Sequence, residues 1–282
     1  YNVEHLRTLA VVGVPGSGKT SFMESVLYVT GTIAKKGSVE NKNTTSDYTN
    51  EEKAHESSIA TTLIPVEYDE YKFNFLDTPG NRELVNEVYQ TLSIVKGAVL
   101  VVDASKGIDI GTEQILSDLS ERNIPTLIFV NKMDKDNVKV DDLLAKLRGI
   151  LGNQAVPFLY PIVEGNDFKG YVNIVDMKSK ILENGKIVEK DIPASVAAKV
   201  EEMREEIMES VASSSEASSI VCSVIFVLIS PIGIPAKTTN SSTYYGNERP
   251  IKSSIKFQAS GYGRLEVPYA STPSILNSTP RT

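Results

Sequence analysis

Gly13-Val14-Pro15-Gly16-Ser17-Gly18-Lys19-Thr20 decides how the rest of this sequence is read. It fits the pattern G-x-x-x-x-G-K-[ST], and its neighbours are the ones that pattern requires. Before it stands an apolar run, LRTLAVV, which reads as a buried strand; after it SFMESVLYV places Phe22, Val26 and Leu27 at helical spacing. Strand, Gly-rich loop and helix together make a phosphate cradle. Glycine lets the backbone curl with its N–H groups pointing inward, and the helix N-terminus adds partial positive charge. Lys19 is then expected at the β- and γ-phosphates, with the Thr20 hydroxyl on Mg²⁺.

The bulk composition narrows the setting. A net charge of −7 over 282 residues argues against a broad basic face for DNA or other nucleic acid. Cys222 is the single cysteine, so no internal disulfide can form, and a reducing cytoplasmic compartment is expected. The chain opens on Tyr1 without a charged-then-apolar leader, and reads as part of a longer product.

Beyond the first helix, residues 31–58 are polar and show neither a helical nor a strand period. So long a loop in a compact domain is expected to be functional, and its place suits a mobile segment closing over a γ-phosphate. Two strands follow, ATTLIPVEY and YKFNFLD, joined at Asp69-Glu70; Val66, Tyr68, Phe73 and Phe75 alternate with polar residues as in an antiparallel hairpin. The second strand ends on Asp77-Thr78-Pro79-Gly80, where an acidic residue at a strand end suits Mg²⁺ and the Gly80 N–H is available to a γ-phosphate.

Helices are expected over 83–95, 112–122 and 140–151, with buried strands at GAVLVVD and PTLIFV. The second buried strand runs into Asn131-Lys132-Met133-Asp134. Alternating strands and helices specify an α/β fold of the P-loop NTPase type, a mainly parallel sheet with helices on both faces, plus a small α+β insert. All three motifs lie just past strand ends and can converge on one site. Asp134 can accept from both N1–H and the 2-amino group of guanine, a donor pair adenine lacks. Asn131 can tie its loop to the Gly-rich loop, and the Lys132 stem can stack over the base.

These residues together resemble a family. GVPGSGKT, a long switch loop, DTPG and NKMD, in that order, are similar to a translational GTPase, above all to the GTPase domain of elongation factor G. VDASKGIDIGTEQIL is similar to the same family, and the stretch from PFLYPIVEG to EEIMESVA resembles its insert, with a hairpin turn at Asn184-Gly185. The likeness covers residues 3–212. It implies a chain that binds Mg²⁺–GTP and hydrolyses it, with the ribosome as partner, translocation as the task of the intact family, and a monomeric state. The nucleotide-binding set carried over is Gly13 to Thr20, Asp77, Thr78, Pro79, Gly80, Asn131, Lys132, Met133 and Asp134. The catalytic set is Lys19, Gly80 and Asn81, and the metal set is Thr20, Ser58 and Asp77. Alternatives in the same likeness are a guanine-nucleotide-binding module with little hydrolysis, and a ribosomal-protection or release-factor-like GTPase.

Three departures bear on chemistry. Where the family places a water-positioning His after DTPG, this chain has Asn81, which cannot become a cation near neutral pH. The switch-loop threonine that caps Mg²⁺ aligns with Ser58, with Ser57, Thr61 and Thr62 as competitors and His55 a solvated neighbour. Gly16 stands where many members carry Asp, which removes a ligand for a monovalent cation.

Residues 213–282 change character: they hold 15 serines against 14 in all that precedes them, so a tail of poor order is expected there. Its apolar run, IVCSVIFVLI, ends at Pro231 and is too short to span a membrane; it reads either as a buried strand or, the preferred reading, as a stray sticky segment. The guanine-contacting S-A element that the family carries after the insert is not found. The expected division is a GTPase core over 1–152, an insert over 153–212 and the tail over 213–282.

Overall fold

The computed structural model describes residues 1–214, apart from 56, 136–137, 153–154, 165–166 and 184–185, and beyond them residues 225–229, 251–258 and 264–271. Strand β1 (Leu6–Val12) runs into the Gly-rich loop, with its last four residues buried, and helix α1 (Lys19–Val29) leaves the loop. Then come α2 (Asn50–His55), β2 (Thr62–Tyr68), β3 (Tyr71–Asp77), α3 (Val85–Ile94), β4 (Ala98–Asp103), α4 (Ile110–Glu121), β5 (Thr126–Asn131) and α5 (Val140–Leu151). The expected hairpin is there: β2 pairs antiparallel with β3, and both residues of the turn, Asp69 (φ 46°) and Glu70 (φ 70°), are left-handed. That is the conformation a two-residue hairpin needs to match strand twist.

All six residues of β4 and all six of β5 are buried, as strands covered on both faces should be. Leu100 and Ile128 are wholly shielded from solvent. Burying a side chain of that size contributes about 1.5–3 kcal/mol.

The insert consists of β6 (Ala155–Pro157), β7 (Leu159–Glu164), β8 (Asp167–Asn173), β9 (Lys178–Glu183) and β10 (Lys186–Lys190), followed by α6 (Ala194–Ser214). Strands β7 to β10 form an antiparallel four-stranded sheet; the Asn184-Gly185 turn expected between β9 and β10 lies outside the described residues. Helix α6 buries Val200, Met203 and Ile207 along one face. It is tied to α5 by Arg148 with Glu206 and by Lys199 with Asp141.

After α6 the chain does not simply fall away, as the Ser-rich composition suggested. Ile225–Ile229 forms β11, and Ile251–Gln258 (β12) pairs antiparallel with Arg264–Ser271 (β13). Among the described residues the main sheet has the order β2-β3-β1-β4-β5-β11-β6, parallel throughout except for β2. The sheet thus takes strands from each of the three segments 1–152, 153–212 and 213–282. The last five residues of the apolar run read as a stray segment, Ile225–Ile229, are instead a sheet strand, hydrogen-bonded between β5 and β6; the rest of that run lies outside the described residues.

The polar segment 31–58 is laid down by buried carboxylates. Glu24 on α1 accepts from Gly37 N at 2.7 Å and Thr45 N at 2.5 Å. Within the loop, Thr49 and Glu52 form a reciprocal cap: Thr49 N and Oγ1 donate to Glu52 Oε2, and Glu52 N donates to Thr49 Oγ1. This capping box starts α2, a helix that the search for apolar periodicity misses. Glu52 Oε1 then accepts from Ile59 N at 3.1 Å and closes the far end of the segment.

Candidate functional site

The ends of β1, β3 and β5 bring the three motifs together. Gly18 caps α1 with φ 99°, and a Cβ there would lie 2.2 Å from Asn131 Nδ2, so the position needs glycine on both counts. Gly80 is constrained by space alone: its added Cβ would meet Lys19 Nζ at 2.5 Å and Pro15 N at 2.9 Å. The DTPG turn is fastened to β1 by Thr78, whose N and Oγ1 both donate to Val11 O, at 3.1 and 2.8 Å. Lys19 and Gly80 therefore face each other across the Gly-rich loop.

The charges at this point are unusual. Lys19 is 7% exposed, and its ammonium donates to Gly13 O at 2.9 Å and Val14 O at 3.3 Å. Burial lowers its pKa, while Asp77 and Asp47 oppose the shift. Asp77 is 1% exposed, and neither carboxylate oxygen has a hydrogen-bond partner among the described residues. Burial pushes its carboxyl up to about 7; Lys19 pulls it down, and Asp47 and Glu52 add like charge. The Ser46 hydroxyl nearby eases the charged form without closing a hydrogen bond of normal geometry. A buried carboxylate left without donors carries a desolvation cost that a bound cation would remove. This orphaned pair of oxygens fits Mg²⁺.

Among the other expected metal ligands, Thr20 is half-buried on the first turn of α1. Ser58 Oγ donates to Asp47 Oδ1 at 2.6 Å, which uses its proton and leaves oxygen lone pairs for a cation. Two of its competitors are engaged elsewhere: Thr61 Oγ1 lies against Thr91 Oγ1 at 3.3 Å, and Thr62 Oγ1 donates to Ser46 O at 3.2 Å. His55 is exposed on α2, in keeping with a solvated role. Asp47, 4% exposed and electrostatically coupled to Lys19 and Asp77, was not picked out by sequence. Nothing in a run of polar loop residues distinguishes the one that folds inward.

At the base-recognition end, Asn131 Nδ2 donates to Ser17 O at 3.0 Å, the tie to the Gly-rich loop that its residue type suggested. Lys132, at φ 61°, reaches the same loop: Nζ donates to Gly16 O at 2.5 Å and to Asp103 Oδ2 at 2.7 Å. Asp134 is exposed. Met133, expected among the nucleotide contacts, has its side chain in the hydrophobic core at 4% exposure. That side chain therefore serves packing; only its backbone is left to face a ligand.

Asn81 is exposed, and its Oδ1 accepts from Glu83 N at 3.4 Å, a long cap on the 3-10 turn Arg82–Leu84. It lines a groove of about 870 Å³ with Val14, Pro15, Val85, Val88 and Ile115. Gly13, Pro79 and Gly80 also line it, whereas Lys19, Thr20 and Asp77 do not, so the groove opens along one side of the Gly-rich loop and the DTPG turn.

A Gly-rich turn after β1, an orphaned acidic strand end and an N-K-x-D loop tied to the turn are the arrangement of a P-loop domain. The chain belongs to the Elongation factor Tu GTP binding domain family, whose profile matches residues 4–231. The match runs past Ala212, where the sequence likeness was expected to stop, and takes in β11. The domain is thus the GTPase domain of a translational GTPase, a class defined by GTP binding and hydrolysis. Curated relatives include an Elongation factor G-like protein of Synechocystis sp. (strain ATCC 27184 / PCC 6803 / Kazusa), 33% identical over 69% of this chain and 29% of its own length. Peptide chain release factor 3 of Streptococcus sanguinis (strain SK36) is 34% identical over 64% of this chain and 36% of its own. The same factor of Staphylococcus aureus (strain JH9) is 36% identical over 64% and 35%. A crystal structure of a Thermus thermophilus protein superposes with a TM-score of 0.73 at 28% identity, covering 80% of this chain and 37% of that one. The chain spans about a third of the length of these relatives. No helix among the described residues is long and apolar enough to cross a membrane.

Proposed function

We propose that the domain holds Mg²⁺–GTP in the cradle between residues 13–20 and 77–80, reads guanine with residues 131–134, and hydrolyses the γ-phosphate by attack of water. One observation carries this reading: Asn131 and Lys132 both bind carbonyls of the Gly-rich loop, so the base-recognition motif is joined to the loop that bears Lys19. Lys19 would leave the carbonyls of Gly13 and Val14 for the phosphates, and with the Gly80 N–H would spread the charge that develops in the transition state. Thr20, Ser58 and Asp77 would hold Mg²⁺, which when bound supplies charge neutralisation to the phosphate oxygens.

The relatives are an elongation-factor-G-like protein and release factors, so we place the chain's partner at the ribosome and the chain in the cytoplasm. A second reading, nucleotide binding with little turnover, rests on Asn81, which is exposed and whose side chain caps its own turn. Single-turnover GTP hydrolysis, with and without ribosomes, tests both. The leading reading expects ribosomes to accelerate hydrolysis well above background. Tight GTP binding with no such acceleration selects the second.

A further inference from the structure

Asp103 is outside every motif that points to the nucleotide, yet it holds one of them in place. It is the last residue of β4, 2% exposed, and registers opposite Asn131 at the end of β5. Its two carboxylate oxygens divide their work. Oδ1 accepts from Ser105 N at 3.0 Å and Ser105 Oγ at 2.6 Å, which fixes the carboxylate plane. Oδ2 accepts from Lys132 Nζ at 2.7 Å. Burial raises the carboxyl pKa, but the hydrogen bonds from Lys132 and Ser105 outweigh that, and Asp103 lies below its ordinary value.

Lys132 needs such a partner. Its backbone is left-handed at φ 61°, a conformation that costs about 1 kcal/mol or more for a residue with a Cβ. Its N–H is taken by Asn131 Oδ1 at 2.9 Å, and its ammonium spans to Gly16 O on the Gly-rich loop. With Asp103 removed, the ammonium keeps, among the described residues, only the Gly16 carbonyl, and the long lysine side chain regains rotamer freedom. We propose that Asp103 is a positioning residue for nucleotide binding: it pins the Lys132 side chain between the β4 end and the Gly-rich loop, so that the stem is already laid where the base must stack. This rests on the guanine-nucleotide reading of residues 131–134.

The test uses the full chain and measures Kd for GDP and for inosine diphosphate, which lacks the 2-amino group. Stacking on Lys132 serves both bases alike, whereas Asp134 tells them apart. Asp103→Asn is therefore expected to weaken both nucleotides by the same factor, roughly tenfold, leaving their ratio unchanged. Lys132→Gln should do the same, and the double variant should be no worse than the weaker single one. Unchanged affinity in D103N, losses that multiply in the double variant, or a collapsed ratio would each overturn the proposal. Should D103N fail to give a cooperative circular-dichroism melt, Ser105→Ala decides: a severalfold loss at constant ratio supports the pin, and no loss refutes it. Wild-type chain that binds neither nucleotide would instead retract the guanine reading itself.

Discussion

Asn131 Nδ2 donates to the carbonyl of Ser17 at 3.0 Å, joining residues 114 positions apart in sequence. Asn131 is 5% exposed, and its Oδ1 accepts from Lys132 N, so one amide serves both the Gly-rich loop and the N-K-M-D loop. Asn131→Ala removes both bonds and leaves the buried Ser17 C=O and the part-buried Lys132 N–H without these partners. Such losses cost about 1–3 kcal/mol each. We expect a Kd for GDP raised roughly 10- to 100-fold, with a lowered thermal midpoint in the nucleotide-free protein. Equilibrium titration and a melting curve check both; a normal Kd would show that the two loops need no such tie.

The orphaned carboxylate of Asp77 gives stability a pH dependence of definite sign. Its folded pKa is about 7 against an ordinary value of 3.8, so between these values the folded state binds more protons than the unfolded one. Without divalent cation, stability should fall as pH rises through that window and level off above it. Asp77→Asn has no proton to lose and should lack this decline. Denaturant unfolding from about pH 5.5 to 8 in EDTA measures it as the difference between the two proteins, in which the other carboxylates cancel. A pH-independent difference would mean that Asp77 is solvated in solution.

Strand β11 lies between β5 and β6, so its removal should cost more than the removal of everything after it. A chain ended at residue 231 should bind GDP like the full chain. A chain ended at residue 214 should lose most of its binding and its cooperative unfolding, since both neighbours lose their hydrogen-bonded strand. Equal behaviour of the two truncations would contradict this sheet order.

Much of this architecture was legible because chemistry and periodicity coincide in it. The hairpin of β2 and β3, the buried β4 and β5, and α5 over Val140–Leu151 follow from apolar patterning, and the three nucleotide motifs mark their own strand ends. Other parts were hidden for physical reasons. Glu24 looks like a solvated position on α1, because its partners Gly37 N and Thr45 N are backbone groups of a loop without pattern. The Thr49-x-x-Glu52 signal for α2 was present but short, inside a segment that has no apolar period to draw attention to it. Strand β11 was obscured by its Ser-rich surroundings, since composition reports on a neighbourhood and not on the five residues that pair. Asp103 needed three dimensions, as only the β4–β5 register sets it opposite Asn131 and beside Lys132.

Guanine recognition by Asp134 beside the Gly-rich loop is open to a direct base-exchange measurement. Kd is measured for GDP, ADP and xanthosine diphosphate with the wild-type chain and with Asp134→Asn. Xanthine presents a carbonyl where guanine has its 2-amino group, so the amide in D134N can donate where the carboxylate accepted. The wild type is expected to bind GDP at least roughly a hundredfold more tightly than ADP, and D134N to prefer xanthosine diphosphate. Comparable wild-type affinity for ADP and GDP, or an unaltered preference in D134N, would contradict it.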